Sequence, residues 1–193
     1  MPAPAILSDV FHALQRERGE EDAGITFDQG PSPVDRIDVM VYRATDPMAA
    51  TLFTTIGMSA QAMPPREGRP GGHAELRLFR RGIVQPGDEG LIAMKLANLA
   101  TYPWTSGRPL GWGEVVSFTD DIPTFPGCRS VFLAGPWIAG QPAFIETRAE
   151  RVRVVNLVPI SGAERADALE ARPEVFFSDL LDSRDALTPP ALA

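Results

Sequence analysis

Arg36-Ile37-Asp38-Val39-Met40-Val41-Tyr42-Arg43 is the stretch on which the reading of the fold turns. Ile37, Val39 and Val41 alternate with Asp38, Met40 and Tyr42, the period of two that a β-strand with one buried face requires. Outward from it, Thr51–Ile56 is rich in β-branched and aromatic residues and stops at Gly57, so a second strand follows through the Asp46-Pro47 turn. His73–Arg80 alternates again, with Ala74, Leu76 and Leu78 on one side and Glu75, Arg77 and Phe79 on the other, which places a third strand. Between these two strands the run from Met63 to Gly72, crowded with Pro and Gly, reads as a mobile excursion. Upstream, Gly19–Asp35 is acidic and carries Gly24, Gly30, Pro31 and Pro33, the composition of a long loop. Ahead of it Ile6, Leu7, Val10, Phe11 and Leu14 form one helical stripe that ends at Gly19, a natural C-cap.

Beyond the third strand the period changes. From Pro86 to Thr101, Asp88 and Glu89 suit a helix N-terminus, Ile92, Leu96, Leu99 and Ala100 make an apolar stripe, and Pro103 should stop the helix. Short β-like runs follow at Glu114–Thr119, Ser130–Leu133, Ala143–Thr147 and Val152–Val158, separated by Pro/Gly turns. Ser161 with Glu164 three positions on is a capping-box pattern for a helix to about Ala171, and Pro173 suits the first position of another. The order of helix, three strands, helix, four strands and helices predicts an α+β fold, a mixed and mostly antiparallel sheet with flanking helices. Residues 1–34 read as an N-terminal helix and acidic loop, 35–185 as the main body and 186–193 as a frayed tail, one globular domain overall.

Composition bounds the function. A chain of 193 residues with 44% hydrophobic and 22% charged positions is long enough for a sizeable core, and its 17 glycines and 19 prolines punctuate many short elements. Net charge is −7 and Lys95 is the only lysine, so phosphate backbones repel the chain and nucleic acid is not an expected partner. The acidity is concentrated at the ends, −5 over residues 1–35 and −4 over 164–193, around +3 over 64–85. Such a distribution keeps a protein soluble, and it also suits docking to a basic protein. No apolar run is long enough for a bilayer, and Met1–Val10 has no basic residue ahead of its apolar ones, as a signal peptide would; a cytoplasmic protein with no membrane partner is expected.

Chemistry is sparse. Cys128 is alone, and with two histidines, His12 and His73, it leaves no zinc-ligand spacing. His12 sits mid-helix beside the apolar stripe and His73 opens a strand after the loop, places where a structural or solvated role accounts for a histidine better than catalysis, and Gly71-Gly72 and Gly111-x-Gly113 lack the strand, turn and helix of a phosphate cradle. Asp120 and Asp121 with Glu114 could hold a metal for hydrolysis, but adjacent residues on an extended chain point apart, and a solvated loop accounts for them as well. No enzyme, cofactor or metal is therefore expected. Trp104, Trp112 and Trp137 lie in or beside turn-rich segments, and Met58 and Met63 flank the loop after the second strand. Core edges would explain them; so would anchors for a protein partner, flanked by the charges of Glu114, Asp120 and Asp121.

Several stretches, taken in order, resemble the suppressor of fused family: Val39-Met40-Val41-Tyr42-Arg43, Thr54-Thr55-Ile56-Gly57-Met58-Ser59, Ala74-Glu75-Leu76-Arg77-Leu78, the helix Leu91–Tyr102 before a proline, Gly113-Glu114-Val115-Val116-Ser117, and Val154–Pro159 with Glu164 beyond. The similarity spans about residues 35–182. It implies an α+β sandwich-like domain. In animals the family member is a two-domain repressor that holds Gli transcription factors by taking a short peptide as an added strand in a cleft between domains, and this chain stops after the first domain. The tyrosine and acidic residue that contact that peptide have no match here, where Ala60-Gln61-Ala62-Met63 and an arginine-containing loop stand. Single-domain bacterial relatives are regarded as immunity proteins, so the resemblance implies a protein-binding module that neutralises a toxin domain. The rival expectation is a binder of the cell's own regulatory peptides through an exposed strand edge. The toxin's identity, the binding face and the oligomeric state are not legible in the sequence.

Overall fold

The computed structural model describes residues 4–68 and 70–191; Met1–Ala3, Arg69, Leu192 and Ala193 lie outside it, and with them the start of the Met1–Val10 stretch, one position of the Pro/Gly-rich loop and the end of the tail. The decisive stretch forms β2 (Ile37–Tyr42), and with β3 (Ala50–Ile56) and β4 (His73–Arg81) it makes an antiparallel meander. Ahead of β2 lies β1 (Ala23–Phe27), a strand in the segment read as loop. Its Ala-Gly-Ile-Thr-Phe alternates like any half-covered edge strand, and the acidic and glycine-rich surroundings conceal it. Four more strands, β5 (Val115–Ser117), β6 (Ser130–Ala134), β7 (Phe144–Glu146) and β8 (Arg151–Ile160), complete one mixed sheet. The order is β1-β2-β3-β4-β8-β6-β5, with β7 also paired to β8. Among the strand pairs of the described residues, only β4 and β8 run parallel. The fold is therefore the expected α+β class, with one sheet covered on both faces in place of two facing sheets.

Helices supply the cover. On one face α2 (Pro86–Ser106) lays Ile92, Leu96 and Leu99 on Val39, Val41, Phe53, Leu76, Leu78 and Leu157. On the other, α1 (Ala5–Arg18) places Ile6, Val10 and Leu14 against Ile56, Val152 and Val154, and α3 (Gly162–Glu170) and α4 (Pro173–Ser183) place Ala168, Phe176 and Leu180 against Phe132, Val158 and Ile160. Burial of some twenty large apolar side chains, each contributing about 1.5–3 kcal/mol, is what holds the three layers together. Pro103 is buried inside α2 and does not end it; the helix runs to Ser106 and stops at Gly107 in the left-handed region. The capping box of α3 is present: Ser161 Oγ accepts from the Glu164 N–H (3.3 Å) and Glu164 Oε2 accepts from the Ser161 N–H (2.7 Å).

Covering both faces forces the polar half of β4 indoors. Arg77 is buried beneath the last turn of α1, where its two terminal nitrogens donate to the two oxygens of Glu17 at 2.8 and 2.7 Å. Likewise, Arg43 donates to Glu89 in the first turn of α2 at 2.7 and 2.8 Å. The segment after α4 is packed where fraying was expected: Ala186 and Leu187 are buried, and the Leu187 carbonyl accepts from the Arg81 N–H at 2.9 Å.

Candidate partner-binding groove

The sheet ends at β5, which pairs only with β6. In an antiparallel pair alternate residues bond across the ladder. Here Glu114 O accepts from the Leu133 N–H (2.8 Å), Val116 faces Val131, and the Phe118 N–H donates to Arg129 O (2.7 Å). Val115 and Ser117 consequently turn their N–H and C=O outward, and no partner for these groups is found among the described residues. This free edge forms one wall of a groove of about 760 Å³. The end of α2 and Arg108–Leu110 form another wall, Pro65 and Arg66 a third, and Leu169 with Pro173 closes the side toward α3 and α4. Gly113 turns the chain into β5 with φ +87°, and a Cβ there would stand 2.9 Å from Pro173, so no larger residue fits without displacing α4.

A smaller hollow of about 250 Å³ shares Arg66, Pro109, Leu110 and Glu114 with the groove and adds Arg153. Glu114 stands between the two, its carboxylate accepting from Arg66 and from the Gly111 N–H at 3.0 Å. Trp112 lies alongside, 39% exposed yet fixed: its Nε1–H donates to Val154 O at 2.9 Å and its ring meets Phe144 at 5.5 Å between centroids. Thus of the residues singled out in the sequence, the structure brings Trp112 and Glu114 to one place.

The others lie elsewhere. Met58 is fully buried in the short 3₁₀ turn after β3 and Met63 is 3% exposed, its sulfur accepting from the Leu110 N–H at 3.4 Å, so both side chains belong to the core, Met63 where it borders the smaller hollow. Trp104 is half-buried against the α2 side of the core. Trp137 packs edge-on to Phe177, with its buried Nε1–H unpaired among the described residues. Asp120 and Asp121 sit in the exposed turn after β5, and they do not join Glu114: Asp121 accepts from the Gly127 N–H (2.8 Å) and from Arg129 (3.0 Å), which hold its carboxyl below the usual range. No group of three His, Cys, Asp or Glu among the described residues is arranged to hold a metal ion. No helix of the described residues is long and apolar enough to cross a membrane.

A cluster missed in the sequence sits just inside. Glu75, on the face of β4 toward α1, is fully buried, and its Oε1 accepts from the Gly57 N–H (2.9 Å), the Ser59 N–H (3.0 Å) and Ser59 Oγ (2.6 Å), while Oε2 accepts from Thr55 Oγ1 (2.5 Å). Burial pushes its carboxyl above the usual range against the pull of those donors. His73 Nδ1 lies 2.7 Å from Ser59 O and pins the same turn. The Gly-Met-Ser turn and the Glu-Leu strand, read separately in the sequence, are the two halves of this one cluster.

A family profile for the suppressor of fused protein matches residues 33–188. The chain belongs to the suppressor of fused family. Among solved structures of this fold, a protein from Neisseria gonorrhoeae FA 1090 described as a suppressor of fused homolog matches with a TM-score of 0.70 at 16% identity, over 96% of this chain and 94% of that one. A chain of the Sufu–Fu complex matches with a TM-score of 0.67 at 15% identity, over 98% of this chain and 90% of that one. Drosophila Suppressor of Fused matches with a TM-score of 0.63 at 15% identity; 94% of this chain is covered, and it spans 46% of the fly protein. No curated protein matches the chain in sequence. In this suppressor of fused domain the family motifs fall on β2, the β3 turn, β4, α2, β5 and β8, the elements that frame the core and the groove.

Proposed function

We propose that this suppressor of fused domain is a non-enzymatic protein-binding module that takes an extended segment of a partner along the free edge of β5, and that the partner is a toxin it neutralises in the cytoplasm. The observation that carries the binding mode is the outward-facing main chain of Val115 and Ser117 beside the 760 Å³ groove. An incoming strand would bond to both residues, and its side chains would fall alternately into the groove and away from it. Support for a protein as the ligand comes from the family, one of whose similar chains was crystallised in the Sufu–Fu complex. Net charge of −7 supports a basic toxin, whose approach it would accelerate.

Co-expression with the product of the neighbouring gene tests the reading. A stable complex, relief of that product's toxicity and protection of the Val115 and Ser117 amides from hydrogen exchange are expected. Val115→Pro removes an outward N–H without touching the β6 ladder, and it should weaken the complex at least tenfold while the domain stays folded. A complex with no toxicity to relieve would assign the same edge to a regulatory partner; a complex indifferent to Val115→Pro would overturn the edge as the site.

A further inference from the structure

Arg153 stands out among the arginines. Side chains of arginines 16, 108 and 172 also lack a hydrogen-bond partner among the described residues, but all three are exposed, where water serves them. Arg153 is half-buried, its Nε is inaccessible to solvent and unpaired, and none of its nitrogens bonds to a described residue. It projects from β8 over the ring of Trp112, 5.5 Å from the centroid, and lines the smaller hollow. Its neighbour on the same face, Arg151, stacks in the same way on Phe144 (4.2 Å) but is paired with Glu146 at 2.8 Å. The two arginine–aromatic stacks differ in that one has its carboxylate and the other lacks it.

Neither carboxylate of the hollow pairs with Arg153: Glu67 lies beside Arg66 at 3.7 Å, and Glu114 is turned to other donors. That carboxylate and the Arg153 terminal nitrogen flank the same point beside Gly111, each about 4 Å from where its Cβ would be, yet they form no ion pair, and Glu114 is engaged by Arg66 and the Gly111 N–H. A guanidinium lying over an indole still has terminal N–H groups to donate, and that planar fork grips a carboxylate with two parallel bonds. Trp112 is held by Val154 O and Phe144, so the stack is set before any ligand arrives. The hollow that Arg153 lines shares Arg66, Pro109, Leu110 and Glu114 with the groove, and Glu114 immediately precedes β5, so the hollow continues the groove at the start of that strand.

We infer that Arg153, seated on Trp112, receives a carboxylate carried by the partner's extended segment just beyond the residues that pair with β5. The inference rests on the strand-edge reading above and adds the chemistry of one position in the ligand. The carboxylate is either a Glu or Asp side chain or the segment's own C-terminus.

The test is selection of random dodecapeptides on the immobilised full chain, keeping those that protect the Val115 and Ser117 amides from hydrogen exchange. The peptides kept should carry an acid at one fixed position, and a soluble, C-terminally amidated version with Gln there should bind about tenfold more weakly. Arg153→Gln should abolish that difference and leave the affinity of the Gln peptide unchanged, and Arg153→Lys should restore part of it. An unchanged urea midpoint in both variants shows that the fold is intact. Peptides ending in a free carboxylate at the same position, compared with their amides, separate a C-terminal from a side-chain source. Edge-protecting peptides with no acidic preference, or a preference that survives Arg153→Gln, overturn the inference and leave the edge reading standing. If no peptide protects the edge, both fall.

Discussion

At the residue scale, the buried carboxylate of Glu75 is the most consequential polar group in the chain. Glu75→Ala leaves the buried Gly57 and Ser59 N–H groups without their acceptor. Each orphaned donor costs about 1–3 kcal/mol, so a loss of roughly 3–5 kcal/mol in urea unfolding is expected, with Glu75→Gln, which keeps one acceptor, losing less. Gly57→Ala should be comparably costly, since φ there is +136° and the new Cβ would lie 2.4 Å from the Arg36 carbonyl oxygen. Cys128 behaves oppositely. Burial pushes its thiol up to about 11, and in the native state at pH 8 it should react with a thiol reagent far more slowly than free cysteine, reaching full rate only on unfolding. The two partners of the Glu75 cluster were visible in the sequence as motifs, but not their contact. Alternation on β4 put Glu75 and Arg77 on the face away from Leu76, and a strand pattern alone does not say that α1 then covers that face.

At the element scale, β2 with its one clean apolar face, β3 with its run of β-branched and aromatic residues, and the long stripe of α2 were legible, because each carries its pattern in its own residues. β1 was not, since its sequence is half-polar and its pairing with β2 is a tertiary choice. Nor was the end of α2, where Pro103 obeys helical geometry with only a local loss. The candidate groove was partly legible: Trp112 and Glu114 are adjacent to β5 in sequence, whereas Arg66 and Arg153 reach it only through folding. β5 itself is three residues long and open on one side, and short edge strands resist indiscriminate pairing. The docking of α1 supplies a direct check. Arg77→Met leaves Glu17 without its bidentate partner, and the variant should show loss of α1 amide protection in hydrogen exchange before the rest of the molecule opens.

At the scale of the whole molecule, acid should unfold this protein. Burial works against the carboxylates of Glu17, Glu164 and Asp185, but hydrogen bonds from Arg77, Arg184 and Arg81 overcome it and hold all three below their usual ranges. A carboxyl depressed in the folded state stabilises above its unfolded value and loses that contribution as pH falls through its folded value, so stability should drop below about pH 4.5. Glu75 runs the other way: its raised value gives a contribution that is full below about 4.5 and is lost as pH rises from there through its folded value, so it acts on the other side of the acid limb. Glu17→Gln should flatten the dependence of the urea midpoint on pH below 4.5, and Glu75→Gln should lessen the loss of stability as pH rises above 4.5.

The parallel seam between β4 and β8 has a further meaning for how the molecule comes into being. Leu76 sits beside Val155 and Leu78 beside Leu157, so the middle of the sheet cannot close until a stretch about eighty residues downstream has been synthesised and released. Until then the meander of β2 to β4 has a naked hydrophobic flank, and no local hairpin can substitute for the missing strand. Assembly is governed by encounters between distant parts of the chain, which places this protein among slow folders, with a nascent first half exposed to chaperones and to aggregation for most of its time on the ribosome.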